Sequence, residues 1–336
     1  LGRACERPER CLGLPLTKKG RMSLYESTVF AQGRFLTYDE ARVGLLTHGL
    51  NYGTGCFEGI RGYWNADERE LHLVLLREHF ERLHTSARIL LMHIPHSVDE
   101  LMEIATELCA RNRYEENVYI RPLVYKNAED VGVRLTGVDD AFAIATIPFK
   151  HYYDASAGLK ACVSSWRRID DTMAPVRAKI TGGYINAALA KSEAQMNGFD
   201  EAILLSSDGH VAEGSAANLF LVKRGKLFTP DPTQNVLEGI TRRAVLTLAQ
   251  DELGIEVVER ALDRSELYAA DELFFTGTAA GLVFVNSVDH RPVGDGRLGP
   301  VTRALRELYE RIVLGRETKY RSWLTPTYAG RRVSAA

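Results

Sequence analysis

Residues 213–242 read EGSAANLFLVKRGKLFTPDPTQNVLEGITR, and the remainder of the chain is parsed outward from them. Asn218 to Lys223 is rich in β-preferring apolar residues and predicts a strand. Leu237-Glu-Gly239-Ile240-Thr241 then opens a helix, Thr241 to Leu253, which Gly254 stops. The glycine lets another group approach the backbone closely, and the free amides at a helix start carry partial positive charge, so the segment is a candidate anion cradle. Taken alone, such a run is more often an ordinary cap or turn. A second run of small residues, Thr276-Gly277-Thr278-Ala279-Ala280-Gly281, follows a predicted strand at Glu272 to Thr276, and the pair makes an anion site more plausible.

Upstream, strand Glu201 to Ser206 reverses at Asp208-Gly209, a hairpin dipeptide. A helix over Gly183 to Asn197 and a strand over Lys160 to Trp166 precede it, and a further strand lies near Ile255 to Val258. In the first half, Leu71 to Leu75 predicts a strand. Phe80, Leu83, Ala87 and Leu90 recur at helical spacing after it. Ser97 with Glu100 is a capping box opening a helix over Val98 to Arg111. Asn117 to Lys126 and Ala141 to Ile147 predict strands, the first placed at an edge or a bulge by Pro122. Runs of strands with interspersed helices fit an α+β fold.

At roughly 150 residues per domain, 336 residues suggest two. Residues 1–21, aperiodic and rich in Arg, Lys, Gly and Pro, are expected to form a flexible extension. A small domain is expected over 22–147, an interdomain loop over 148–159, and a larger domain over 160–336. Lys and Arg number 42 against 44 Asp and Glu, a net charge of −2, which gives no electrostatic footprint for nucleic acid. No window approaches the roughly 18–20 apolar residues of a membrane helix, and no secretory signal is evident, so a cytoplasmic location is expected. Five scattered cysteines (Cys5, Cys11, Cys56, Cys109, Cys162) favour reduced thiols over a disulfide framework or a zinc site.

Gly53-Thr-Gly55 with Gly59 has GxGxxxG rather than GxGxxG spacing, so turn glycines explain it as well as a dinucleotide site does. His79 and His84, five apart, do not share a helix face as paired metal ligands would. Lys179, beside Gly182 and Gly183, is by composition a solvated surface charge. It becomes chemically interesting only with companions: a lysine that attacks a carbonyl cofactor needs a phosphate cradle and an acid for the ring nitrogen. Glu213 is a candidate for that acid, its ordinary reading being a turn carboxylate.

These residues carry a resemblance. The chain resembles the class IV aminotransferases, the fold type IV pyridoxal-phosphate enzymes, and within them the branched-chain amino acid branch. EGSAANLF at 213–220, Leu227-Phe-Thr229 and LEGITR at 237–242 match the class signature in order and spacing. Tyr52-Gly-Thr-Gly-Cys-Phe57-Glu58-Gly-Ile-Arg61 resembles the tract YGxxxFEGIR. The similarity runs from about Phe30 to Gly315 and implies a two-domain, D-amino acid aminotransferase-like fold: a small α/β domain and a larger, barrel-like one.

The resemblance implies pyridoxal 5'-phosphate as cofactor, with Lys179 its Schiff-base lysine and Glu213 the partner of its ring nitrogen. Tyr184 would bond the ring oxygen. Arg82, with Gly239, Ile240, Thr241 and Thr278, would grip the phosphate; the ordinary reading of Arg82 is an ion pair with Glu78 on the same helix. Tyr52, Phe57, Arg61, Tyr119, Arg121, Thr278, Ala279 and Ala280 would form the substrate pocket. Implied partners are small amino acids and 2-oxo acids, with the chain in a homodimer or higher homo-oligomer. Many relatives carry Asn or His where this chain has Gly183, which predicts a looser backbone before Tyr184. The expected reaction is transamination of leucine, isoleucine and valine with 2-oxoglutarate. Within the family the alternatives are D-amino acid or (R)-amine transamination and aminodeoxychorismate lysis; outside it, a silent phosphate-ligand binding protein.

Overall fold

The computed structural model describes residues 24–150, 153 and 157–329. The expected extension over 1–21, with Cys5 and Cys11, and part of the 148–159 connection lie outside the described residues. The chain builds two large sheets. The first takes β1 (Thr28–Ala31), β2 (Arg34–Thr37), β3 (Gly55–Phe57), β4 (Ile60–Asn65), β5 (Glu70–Val74), β6 (Val118–Lys126) and β7 (Asp140–Pro148), with helices α1 (His48–Tyr52), α2 (Leu76–Ile89) and α3 (Val98–Arg111). Every pairing in it is antiparallel.

The second sheet takes β8 (Leu159–Arg167), β9 (Glu201–Leu205), β10 (Val211–Gly214), β11 (Asn218–Lys223), β12 (Lys226–Thr229), β13 (Val257–Glu259), β14 (Glu272–Gly277), β15 (Gly281–Val288) and β16 (Arg291–Pro292). Its helices are α4 (Tyr184–Met196), α5 (Ile240–Asp251), α6 (Arg264–Ala269) and α7 (Pro300–Val313). β8 runs parallel to both β9 and β15, and the rest of the sheet is mainly antiparallel. The fold is therefore mixed helix and sheet, as the order of elements implied.

Side-chain alternation explains how the second sheet is buried on both faces. On β11, Phe220 and Val222 pack with α5 and α7 through Val245, Leu248, Leu305 and Ile312, and the Phe274 ring of β14 lies parallel to Phe220 at 5.1 Å. Leu219 and Leu221 point the other way, onto Ile203, Leu273, Phe275 and Val285. In the first sheet, Leu71, Leu73 and Ile120 meet Phe80 and Leu83 of α2 and Leu101 and Leu108 of α3. The capping box at Ser97 forms in both directions.

Pro122 is not at an edge: β6 is flanked by β7 on one side and by β3 and β4 on the other. β3 ends opposite Leu123 and β4 begins opposite Ile120, so the proline's missing N–H falls at the break between them. There the Pro122 carbonyl accepts from the Glu58 amide at 3.0 Å. Far along the chain, β17 (Leu324–Pro326) returns to pair antiparallel with β5. The Glu70 carboxylate fastens it, accepting from the Thr327 and Tyr328 amides at 2.7 and 2.8 Å.

Candidate active site

A cavity of about 280 Å³ opens where the two sheets meet. The first sheet and its helices contribute Phe57, Arg82, Tyr119 and Arg121; the second contributes Lys179, Tyr184, Glu213, Gly239, Ile240, Thr241 and the turn Thr278-Ala279-Ala280. Of the site residues read from sequence, only Tyr52 and Arg61 do not line it.

Lys179 lies in the loop between β8 and α4, and that loop is laid onto the first sheet. Its amide donates to Ser86 Oγ at 3.1 Å, and its carbonyl accepts from the Phe57 amide at 3.0 Å. The glycines noticed in sequence have their use here. A Cβ on Gly53, whose φ is +66°, would stand 2.6 Å from the Gly182 Cα, so two backbones touch where a side chain has no room. Lys179 Nζ donates to Tyr184 Oη at 2.5 Å and lies 4.9 Å from the Phe57 ring centre. Gly183 caps α4 at φ −67°, ψ −19°, an ordinary helical conformation.

Glu213, on β10, is buried. Its Oε1 pairs with Arg168 Nε at 2.9 Å, and its Oε2 accepts from Asn218 Nδ2 at 3.0 Å and from the Leu237 amide at 3.2 Å. Burial pushes its carboxyl above the usual range, with Arg168 pulling the other way. Sequence reading found Glu213 but missed Arg168, which has no neighbour in sequence that marks it.

Gly239 precedes α5 with no side chain capping the first turn. A Cβ there would stand 2.0 Å from Asn218 Oδ1, so only glycine leaves the wall open. Thr276, fully buried on the same wall, has a hydroxyl with no hydrogen-bond partner among the described residues. Arg82 donates from Nη1 to the Glu238 carbonyl at 2.9 Å, just before that glycine. The same guanidinium grips Glu58 through Nε at 2.7 Å and Nη2 at 2.8 Å. The expected alternative, an ion pair of Arg82 with Glu78, does not form; Glu78 instead faces Arg243 at 3.8 Å.

Tyr119 and Arg121 alternate onto one face of β6, as their spacing implied, with the Arg121 guanidinium 4.6 Å from the Phe57 ring centre. Gly59 makes room for Tyr119, whose hydroxyl would be 1.8 Å from a Cβ there. Arg61 is buried behind the Thr278–Ala280 turn, donating to the carbonyls of Ala279 at 3.3 Å and Lys150 at 3.1 Å. Tyr52 stands outside, its hydroxyl accepting from the Gly132 amide at 3.2 Å.

A cavity with one lysine amine, one buried acid and an uncapped helix start has the chemistry to receive a small anionic organic molecule. The family model described as amino-transferase class IV matches residues 55–288, and the chain belongs to that family. It is 48% identical over 299 residues to a probable branched-chain-amino-acid aminotransferase of Aquifex aeolicus, spanning 89% of this chain and 96% of that one. Among solved structures it is similar to the branched-chain aminotransferase of Thermoproteus uzoniensis with norvaline, at 44% identity and a TM-score of 0.86 over 90% of this chain and 99% of the other. It is likewise similar to the branched-chain amino acid aminotransferase of Thermobaculum terrenum in its PLP form, at 39% identity and a TM-score of 0.87 over 91% and 99%.

Proposed function

We propose that this chain is a pyridoxal 5'-phosphate-dependent aminotransferase that moves the amino group of leucine, isoleucine or valine to 2-oxoglutarate, giving branched 2-oxo acids and L-glutamate. The observation that carries the reading is that a single cavity is lined by the Lys179 amine, the buried Glu213 carboxylate and the open start of α5. The similarity to branched-chain aminotransferases over nearly the whole chain supports this branch over D-amino acid, (R)-amine or lyase activity.

The residues present fit the cofactor. The orphaned Thr276 hydroxyl and the space kept by Gly239 suit a phosphate, which Arg82 and the amides and hydroxyls of Ile240, Thr241 and Thr278 would hold. When bound, the cofactor supplies a protonated aromatic ring that draws off the electrons left when an α-proton departs. Glu213 favours that protonated ring, because a carboxylate lowers the energy of a neighbouring cation. Lys179, the one lysine on the cavity wall among the described residues, would hold the cofactor through its aldehyde and would move the substrate's α-proton as general base. Tyr184 orients that amine.

The rings of Phe57, Tyr119 and Tyr184 offer an apolar wall to a branched side chain, and Arg121 offers a guanidinium to the second carboxylate of 2-oxoglutarate. Leu45, Leu46 and Leu50, just before Tyr52 in the chain, and Val131 and Val133, on either side of the Gly132 that bonds its hydroxyl, are exposed, which supports a homo-oligomer in which Tyr52 serves the neighbouring copy's pocket. The three described cysteines are free and buried, in keeping with a reducing, cytoplasmic setting. The two sheets would be two domains joined through 148–159, with β17 returning to the first.

The test is a spectrum. Purified protein with pyridoxal phosphate gains a visible absorption band that L-leucine bleaches and D-alanine leaves, and Lys179→Ala gains no such band. A band that survives Lys179→Ala, or one that only D-alanine bleaches, overturns the assignment.

A further inference from the structure

Glu58 occupies the two-residue link between β3 and β4 and is fully buried. Both its oxygens are held by α2: Arg82 Nε at 2.7 Å on Oε1, and Arg82 Nη2 at 2.8 Å with His79 Nδ1 at 2.7 Å on Oε2. His79 and Arg82 are three residues apart and so share a helix face. Although burial alone would raise it, the adjacent guanidinium holds the Glu58 carboxyl far below the usual range. Burial lowers the His79 pKa, against the pull of the Glu58 carboxylate that its ring bonds.

A pair of that kind, buried for stability alone, is often replaceable by apolar residues without loss. Here it leaves donors over. A guanidinium has five N–H groups; Glu58 takes two and the Glu238 carbonyl one. Two remain, and Arg82 lines the same cavity as Gly239, Ile240 and Thr241 at the start of α5.

We infer that Glu58 is a positioning residue: by clamping the Nε–Nη2 edge of Arg82 it turns the remaining donors of that arginine toward the phosphate of the bound ligand. His79 braces the clamp from the same helix. This rests on the cofactor reading above. It adds that phosphate affinity is set by a residue that never touches phosphate.

The experiment measures, by absorbance titration, the dissociation constants of apoenzyme for pyridoxal phosphate and for phosphate-free pyridoxal. Wild type is compared with Glu58→Gln, Arg82→Gln and the double variant. Losing one charge-assisted orientation is expected to weaken pyridoxal phosphate roughly tenfold or more in Glu58→Gln. Pyridoxal binding should stay within about twofold of wild type. The double variant removes both charges, so no unpaired charge is left buried, and it decides the question even if Glu58→Gln folds poorly. Its affinity should be no lower than that of Arg82→Gln alone, because Glu58 acts only through the arginine. Equal losses for both ligands, no loss in Glu58→Gln, or a double variant weaker than Arg82→Gln overturns the inference. Failure of wild type to bind pyridoxal phosphate overturns the cofactor reading beneath it.

Discussion

Arg168 Nε and Glu213 Oε1 meet at 2.9 Å with their side chains 14% and 9% exposed, joining the residue after β8 to a carboxylate on β10. Burial and the guanidinium pull the Glu213 carboxyl in opposite directions, and burial prevails. Arg168→Gln removes the charge that favours ionisation, so Glu213 keeps its proton to a higher pH. Glu213 acts as the anion, so the acid limb of the kcat/KM profile is expected to move up in pH. Activity at pH 6 should fall roughly tenfold while that at pH 8 falls less. An acid limb that stays in place would count against an ionised Glu213.

Tyr184→Phe removes the phenol that accepts from Lys179 Nζ. One hydrogen bond to a charged group is worth about 1.5–3 kcal/mol, so kcat should drop about 10- to 100-fold. KM should change little, since the ring and its packing on Phe57 at 4.8 Å remain. Steady-state kinetics with L-leucine separate the two.

Gly239→Ala places a methyl where Asn218 Oδ1 now sits. Moving that side chain breaks its bonds to Glu213 and to the Leu237 carbonyl. The overpacking should cost about 1–3 kcal/mol in cofactor affinity, read by titration of apoenzyme. The φ of −70° at this position suits alanine, so crowding, and not backbone strain, is what the measurement reports.

Phe274→Ala opens a hole between β14 and α5, where Phe274 is fully buried against Phe220. A loss of about 3–5 kcal/mol is expected, seen as a lowered Tm in calorimetry. A shift close to zero would mean that α5 and α7 collapse onto the gap.

Local pattern made much of this legible. The strand at Asn218 to Lys223, the helix ended by Gly254 and the Ser97 capping box are each written in a few adjacent residues, and each forms within a residue or two of its expected bounds. Lys179, Tyr184, Glu213, Gly239 and Thr278 stand in recognisable tracts, and the fold brings them to one cavity. What stayed hidden depends on contacts between distant parts of the chain. Arg168 matters through its pairing with Glu213 and its bond to the Asn235 carbonyl, both distant in sequence, and Thr276 through lacking a partner among the described residues. Glu58 stands within a recognisable tract, but its hold on Arg82 spans 24 residues and two elements. Pro122 was misplaced for the same reason, because the break between β3 and β4 that excuses it lies in its neighbours.

The return of β17 to β5 bears on how the protein is made. On the ribosome, β5 emerges about 250 residues ahead of the strand that will cover it. Until then the nascent sheet shows an open border, and the Glu70 carboxylate beside it waits for the amides of Thr327 and Tyr328. α2 follows β5 directly, and the amide of Leu75 between them bonds the Trp323 carbonyl at 2.7 Å. The helix that carries Arg82 therefore gains its last support only once residue 323 has been translated, and a ribosome stalled before that point holds a chain whose free strand border invites pairing with its neighbours.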